Sequence, residues 1–329
     1  MAGNSHIYLS GQSGQGKSFL LRRLMVQLPP QGVRCIVFDC SGDFRQAAQG
    51  GGPWTVRDVR RAAKIDLFRR MPLSAGYWEE NQDLAARVAG AVTDAYAFAG
   101  RAQPVYLRNA LADFLDAYGA EPSIPAFLNW ISGDERRAAR MPGMLERLKD
   151  LNRVFPADAD EMDWRLDEPG ITVLQFHTVP DPALQVVITE FLLAGLWSEK
   201  LQAGGSCPVV AVLDECHRFP FRSGSMPMRI LREGRKYQVS GWFASQWMDD
   251  KAAVAALDQA ALRAYFYPGD RNVGRLARLL CPEPGRRGRV VSLIRALEVG
   301  DFLYQSGNGA VLRGRMPQEE RGREQTAPI

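Results

Sequence analysis

Apolar residues along this chain recur in two rhythms, short continuous runs that suit buried strands and longer stretches with helical spacing. His6-Ile7-Tyr8-Leu9 leads into a glycine-rich turn, and Phe19-Leu20-Leu21-Arg22-Arg23-Leu24-Met25 then takes up helical periodicity. Val33 to Asp39 is a second apolar run, which ends in an acid and breaks at Ser41-Gly42-Asp43. Together these predict a first βαβ unit. The pattern then becomes helical, at about Asn81 to Phe98, Val105 to Tyr118, Pro125 to Ile131 and Pro142 to Leu151. These segments read as an inserted helical subdomain at about residues 78–155, with Gly50-Gly51-Gly52-Pro53 before it as a flexible loop.

Alternation resumes at Ile171-Thr172-Val173-Leu174-Gln175-Phe176, followed by a helix from about Pro182 to Leu201. Pro208 to Leu213 is an apolar run ending in Asp214-Glu215, Ser240 to Ser245 ends in Gln246, and Ala264 to Tyr267 is a further candidate strand. Strands alternating with helices predict an α/β fold, a mainly parallel sheet covered on both faces. Asp301 to Gln305 and Ala310 to Arg313 flank Gly307-Asn308-Gly309, a hairpin signal. We expect one domain over residues 1–316 and a polar, disordered tail over 317–329. No internal repeat is visible.

Composition narrows the class. A chain of 329 residues with 46% hydrophobic content supports a large globular core. Its longest apolar stretches, such as Phe191 to Trp197, are too short to cross a bilayer, and no charged-then-apolar leader precedes the first strand. A cytoplasmic location is expected. The five cysteines are odd in number and scattered, and with three histidines they offer neither a disulfide framework nor metal-ligand spacing. Net charge is only +4, yet arginine is concentrated in the segment from Arg263 to Arg323, which suits either an ordinary solvated face or a nucleic-acid surface.

The chemistry begins in the first turn. Gly11-Gln12-Ser13-Gly14-Gln15-Gly16-Lys17-Ser18, between a strand and a helix, is a complete P-loop. Glycines let backbone N–H groups converge on phosphate oxygens, and the helix N-terminus adds partial positive charge. Lys17 would reach the β and γ phosphates and the Ser18 hydroxyl would ligate Mg²⁺, so the expected ligand is ATP with magnesium. Asp214 and Glu215 supply the two carboxylates that hydrolysis needs, Asp214 for the magnesium shell and Glu215 to polarise the attacking water. Gln246, at the next strand end, would sense the γ-phosphate or simply cap its strand. Arg229 to Tyr237 is basic, and three readings stay open for it: a trans-acting arginine finger, an ion pair with Glu233, or a DNA-phosphate contact.

The P-loop, the Phe38-Asp39-Cys40-Ser41-Gly42-Asp43-Phe44 strand end, Leu213-Asp214-Glu215-Cys216-His217-Arg218-Phe219, Arg232-Glu233-Gly234-Arg235-Lys236-Tyr237 and Ser245-Gln246 occur in an order that resembles the HerA/FtsK superfamily of motor ATPases. The resemblance implies a RecA-like (ASCE) core, a homohexameric ring and duplex DNA threaded through its channel. It implies Glu215 as catalytic base, Asp214 on magnesium, Gln246 as sensor, Arg232 or Arg235 as finger or coupler, and an acidic site at Asp39 and Asp43. Archaeal HerA proteins carry a β-barrel ahead of the motor, and FtsK proteins carry membrane helices and a winged helix. This sequence starts at the P-loop strand, so it is similar to minimal motors of viral genome packaging or mobile elements. Such a motor works in host cytoplasm or a virion with a separately encoded portal, membrane or nuclease partner. The alternative is an ATPase of a protein secretion or assembly complex that moves no DNA.

Overall fold

The computed structural model describes residues 5–45, 52–62, 66–74, 76–96, 102–154, 162–202, 207–246, 249–305 and 311–316. The first half holds β1 (Ile7–Ser10), α1 (Lys17–Met25), β2 (Arg34–Asp39), β3 (Trp54–Asp58), α2 (Val59–Ala62) and a small hairpin of β4 (Pro72–Ser74) and β5 (Tyr77–Trp78). Helices α3 (Asn81–Ala95), α4 (Ala102–Ala117), α5 (Ile124–Ser132), α6 (Glu135–Ala138) and α7 (Pro142–Val154) follow. The second half runs β6 (Gly170–Gln175), α8 (Pro182–Gln202), β7 (Val209–Leu213), α9 (Met226–Glu233), β8 (Val239–Ser245), α10 (Lys251–Leu257), β9 (Leu262–Tyr265), α11 (Asp270–Leu280), α12 (Arg287–Arg295), β10 (Asp301–Gln305) and β11 (Val311–Arg315).

Nine strands form one sheet in the order β11-β10-β9-β1-β8-β7-β2-β6-β3. The seven from β9 to β3 are parallel, and β10 and β11 close the other edge antiparallel. This is the mixed α/β architecture with a mostly parallel sheet that the alternation predicts, and it matches the RecA-like P-loop core that the resemblance implies. Strands β2, β6, β7 and β8 are buried along their whole length, because helices cover both faces. Alternate residues feed separate cores. Cys35 and Val37 pack with Leu21 and Met25 of α1 on one face, while Ile36 and Phe38 pack with α8 and α9 on the other. Helix α8 is 21 residues long and buried nearly all round, packed against α3 and α9 within the larger core. Even so, no helix among the described residues is long and apolar enough to cross a membrane.

One strand carries no signal in the sequence: β3 follows Pro53 and pairs in parallel with β6 at the sheet edge, while Gly52 and Pro53 form a bend outside any element and Gly50 and Gly51 lie outside the described residues. The residues of β3 are half-buried or exposed, so the apolar signal that identifies an inner strand is missing. The basic segment from Arg229 makes the second half of α9 and a 3₁₀ turn, Gly234–Tyr237. The expected hairpin is present as β10 and β11, while its Gly307-Asn308-Gly309 turn and the 317–329 tail lie outside the described residues.

The terminal hairpin is fastened to the P-loop. Gly300 N donates to Gln15 O at 3.1 Å, and Met316 N donates to Gly300 O. Asp301, fully buried, accepts from Arg313 Nη2 and Arg315 Nε, both at 2.6 Å, and from Glu298 N at 3.2 Å. Burial alone would raise its carboxyl, but the hydrogen bonds from Arg315 and Arg313 prevail and hold it at about 2. Asp301→Asn is therefore expected to cost about 2 kcal/mol, the lower end for a charged hydrogen-bonded group because both arginines are half-exposed. The sign is fixed: a depressed carboxyl stabilises the fold above its unfolded value near about 4 and loses that contribution as pH falls toward about 2. Urea titrations between about pH 5 and pH 2 should show the parent losing this increment, with the variant flatter across the window.

Candidate functional site

Parallel strands in register bring their carboxyl ends to one edge, and there the P-loop meets the strand ends carrying the acids. Ser10 of β1 lies opposite Ser245 of β8, and Phe243 of β8 lies opposite Leu213 of β7. Phe38 of β2 lies opposite Leu213, so Asp39 and Asp214 leave neighbouring strands at the same level. Gly11 N donates to Ser245 O and to Gln246 O, at 3.2 and 3.0 Å, which ties the start of the P-loop to the β8 end. Gln12 N donates to Tyr267 O at 2.8 Å, which ties it to the segment after β9.

The loop takes the shape its glycines permit. Gly14 and Gly16 have φ of 76° and 103°, a region that disfavours a Cβ, and Gly16 caps the N-terminus of α1. No atom lies within 4 Å of where a Gly14 Cβ would be, so its backbone faces open space. Ser13, Gly14, Gly16, Lys17, Ser18, Arg22, Gly42, Asp43 and Glu215 line the resulting cleft. Lys17 is buried and folded back, with Nζ donating to Gly11 O at 2.8 Å and to Gln12 O at 3.1 Å. Burial lowers its pKa, against the opposing pull of Glu215, Asp214 and Asp43.

The acids form a linked set. Ser18 Oγ donates to Asp43 Oδ2 at 2.8 Å. Ser41 Oγ donates to Asp214 Oδ2 at 2.9 Å and lies 3.2 Å from Asp39 Oδ1, bridging two strand ends. Asp39 also accepts from Gly42 N, Phe44 N and Gln175 Nε2. Burial raises Asp39, and it pushes Asp214 up to about 6 with the neighbouring Glu215 and Asp43 carboxylates adding to the effect. Carboxyl groups crowded beside a phosphate cradle are what a divalent cation would relieve, and a hydroxyl with one or two carboxylates suits magnesium, which keeps waters and phosphate oxygens for its other positions. The hydroxyl and carboxylates present here are of a kind that fits Mg²⁺.

Glu215 has φ of 53°, the left-handed region, a strain of about 1–2 kcal/mol for a residue with a Cβ. Its Oε2 lies 3.2 Å from His217 Nδ1, which in turn lies 3.4 Å from Ser245 Oγ. Burial lowers His217, with Glu215 opposing. His217 and Gln246 share a second cleft with Gln12, Arg271, Asn272 and Arg275. The Glu215–His217 contact therefore joins the linings of the two clefts.

The structure thus brings together Gly11 to Ser18, Asp214, Glu215 and Gln246. It does not bring Arg232 or Arg235 to them. Both are exposed near the amino-terminal end of β8, the edge opposite the P-loop, where Gly234 packs against Val239 and His6. Of the three readings of that segment, the ion pair with Glu233 is made by Arg229, at 3.8 Å. Ser41 and His217 are contributors that motif reading passes over. Ser41 stands inside the quoted Asp39-Cys40-Ser41-Gly42-Asp43 run, and His217 stands two residues beyond the base, so position gave a signal but residue type did not.

A family model described as the central domain of helicase HerA matches residues 4–195. No curated protein matches the chain. Among solved structures, VirB4 of Thermoanaerobacter pseudethanolicus superposes with a TM-score of 0.70 at 15% identity, over 96% of this chain and 90% of that one. The plasmid coupling protein TrwB in complex with the ATP analogue ADPNP does so with a TM-score of 0.65 at 16% identity, over 96% and 86%. At these identities the likeness is one of fold.

Proposed function

The chain belongs to the family of the HerA helicase central domain, and on that premise we propose that it is an ATP-driven motor that moves duplex DNA as a ring, in genome packaging or DNA transfer. The observation that carries this reading is the convergence of P-loop, Asp214-Glu215 and Gln246 on adjacent ends of β1, β7 and β8. The fold shared with a conjugative coupling protein that was solved with an ATP analogue supports it.

In this mechanism backbone N–H groups of Gln12 to Lys17 cradle the phosphates, and Lys17 leaves the Gly11 and Gln12 carbonyls to reach the outer two. Magnesium held by Ser18 and Asp214 would neutralise charge on the phosphate oxygens. Glu215 takes the proton of the attacking water, and Gln246 reports the γ-phosphate position to β8. Because Arg232 and Arg235 lie away from their own chain's cleft, either could act as a finger only on a neighbouring subunit of the homohexamer that the family resemblance implies. Residues 1–316 form the single motor domain in this scheme, working with a separately encoded partner.

The test is steady-state ATP hydrolysis with and without duplex DNA across a salt series. A DNA motor is expected to show stimulation that fades as salt rises, since phosphate contacts release counterions. Hydrolysis indifferent to DNA at every salt concentration would transfer the assignment to a secretion or assembly ATPase.

A further inference from the structure

Basic charge in this chain is concentrated on one helical hairpin. Residues 270–296, covering α11 and α12, carry seven arginines against Asp270 and Glu283, an excess larger than the net +4 of the whole chain. The remainder is therefore slightly negative. Val273, Leu276, Ala277 and Leu280 bury one side of α11, which fixes Arg271, Arg275 and Arg278 on the exposed side at i, i+4 and i+7. Arg289 and Arg295 are exposed on α12. Arg275 pairs with Asp249 and Arg286 with Glu283, but Arg271, Arg278, Arg289 and Arg295 have no acidic partner among the described residues.

We propose that this α11–α12 hairpin is the surface that grips the DNA backbone, and that it delivers the load directly to the nucleotide site; the proposal rests on the reading of the chain as a DNA motor. The three α11 arginines span about 10 Å of helix axis, a length over which a duplex presents several phosphates. Guanidinium groups engage phosphate oxygens in pairs and read no base, which suits a motor that must pass any sequence. The route to the nucleotide is short. The segment entering α11 accepts the Gln12 amide through Tyr267 O, and the first turn of α11 lines the cleft that holds Gln246 and His217. A pull on Arg271 and Arg278 therefore acts on a helix whose entering segment is hydrogen-bonded to the P-loop through Tyr267. Exposed Leu279 and Leu293 lie among the arginines, so a second copy of this chain is the competing occupant, and the test must separate the two.

The experiment compares the full chain with a triple variant, Arg278→Gln, Arg289→Gln and Arg295→Gln, and with a control triple of the same charge change on exposed residues elsewhere, Arg60→Gln, Arg108→Gln and Arg136→Gln. Thermal midpoints establish that each protein is folded. The readouts are the Kd for a 30-base-pair duplex of arbitrary sequence by fluorescence anisotropy across a salt series, and the assembly state by sedimentation. The expected result is a Kd about tenfold or more weaker for the hairpin triple alone, with its salt slope reduced by about three and its assembly state unchanged. A hairpin triple that binds DNA as the parent does overturns the proposal, as does one that loses self-association while its subunits keep the parental DNA affinity. A parent that binds no duplex DNA at all would sink the motor reading itself, and the hairpin assignment with it.

Discussion

Replacing Glu215 by glutamine is expected to lower the turnover number for ATP by about 10²–10⁴-fold while leaving ATP affinity within a few-fold. Glutamine matches glutamate in shape and accepts the same left-handed backbone, so the φ of 53° and the packing of this turn survive the change. What is lost is the ability to take a proton from water. The amide can still approach His217 across the present 3.2 Å, so the contact that joins the linings of the two clefts survives. The measurement is kcat and KM together, with a thermal shift on adding ATP and magnesium. A fall in kcat with the shift retained assigns the base. If turnover stays within tenfold of the parent, proton removal belongs to another acid of the linked set. Asp43, hydrogen-bonded to Ser18 in the same cleft, would be the next residue to substitute.

The parts of this site that sequence made legible are those whose chemistry is fixed by backbone geometry. A P-loop needs glycine where φ is positive and a helix start immediately after it, so Gly14, Gly16 and Lys17 announce themselves by spacing alone. Asp214-Glu215 and Gln246 were legible because β7 and β8 are continuous apolar runs, whose ends are marked by the first polar residue. Strand order was not legible. That Asp39 is the direct neighbour of Asp214, with Ser41 bridging them, depends on β2 lying beside β7, and no local pattern encodes this pairing. β3 was missed for a related reason: an edge strand with one half-exposed face shows little of the hydrophobic run that marks its inner neighbours. The terminal hairpin was visible as a turn signal, but its grip on Gln15 through Gly300 comes only from the antiparallel return of β10 beside β9.

Lys17→Ala is expected to abolish the response to nucleotide that Glu215→Gln keeps, weakening ATP binding by about 100-fold or more, or about 3 kcal/mol for a charged group meeting phosphate oxygens in a partly dry cleft. Without nucleotide, the ammonium spends its hydrogen bonds on Gly11 O and Gln12 O, so the substitution also removes two internal contacts. Those contacts are worth about 1–3 kcal/mol together, and the thermal midpoint of the unliganded variant should fall accordingly. A fall in the unliganded midpoint alone could reflect packing. The informative quantity is therefore the further rise on adding ATP and magnesium, which depends on the ratio of ligand concentration to Kd. At ligand concentrations near 100 times the parental Kd, the parent and Glu215→Gln should each gain about 2.7 kcal/mol of stability, and Lys17→Ala less than about 0.5. Lys17→Met, which keeps the aliphatic stem within the loop, should restore part of the unliganded stability and none of the ligand-induced gain. If Lys17→Ala instead keeps the full gain, the backbone amides of Gln12 to Gly16 and the α1 N-terminus hold the phosphates unaided, and the lysine's contribution lies in the transition state alone.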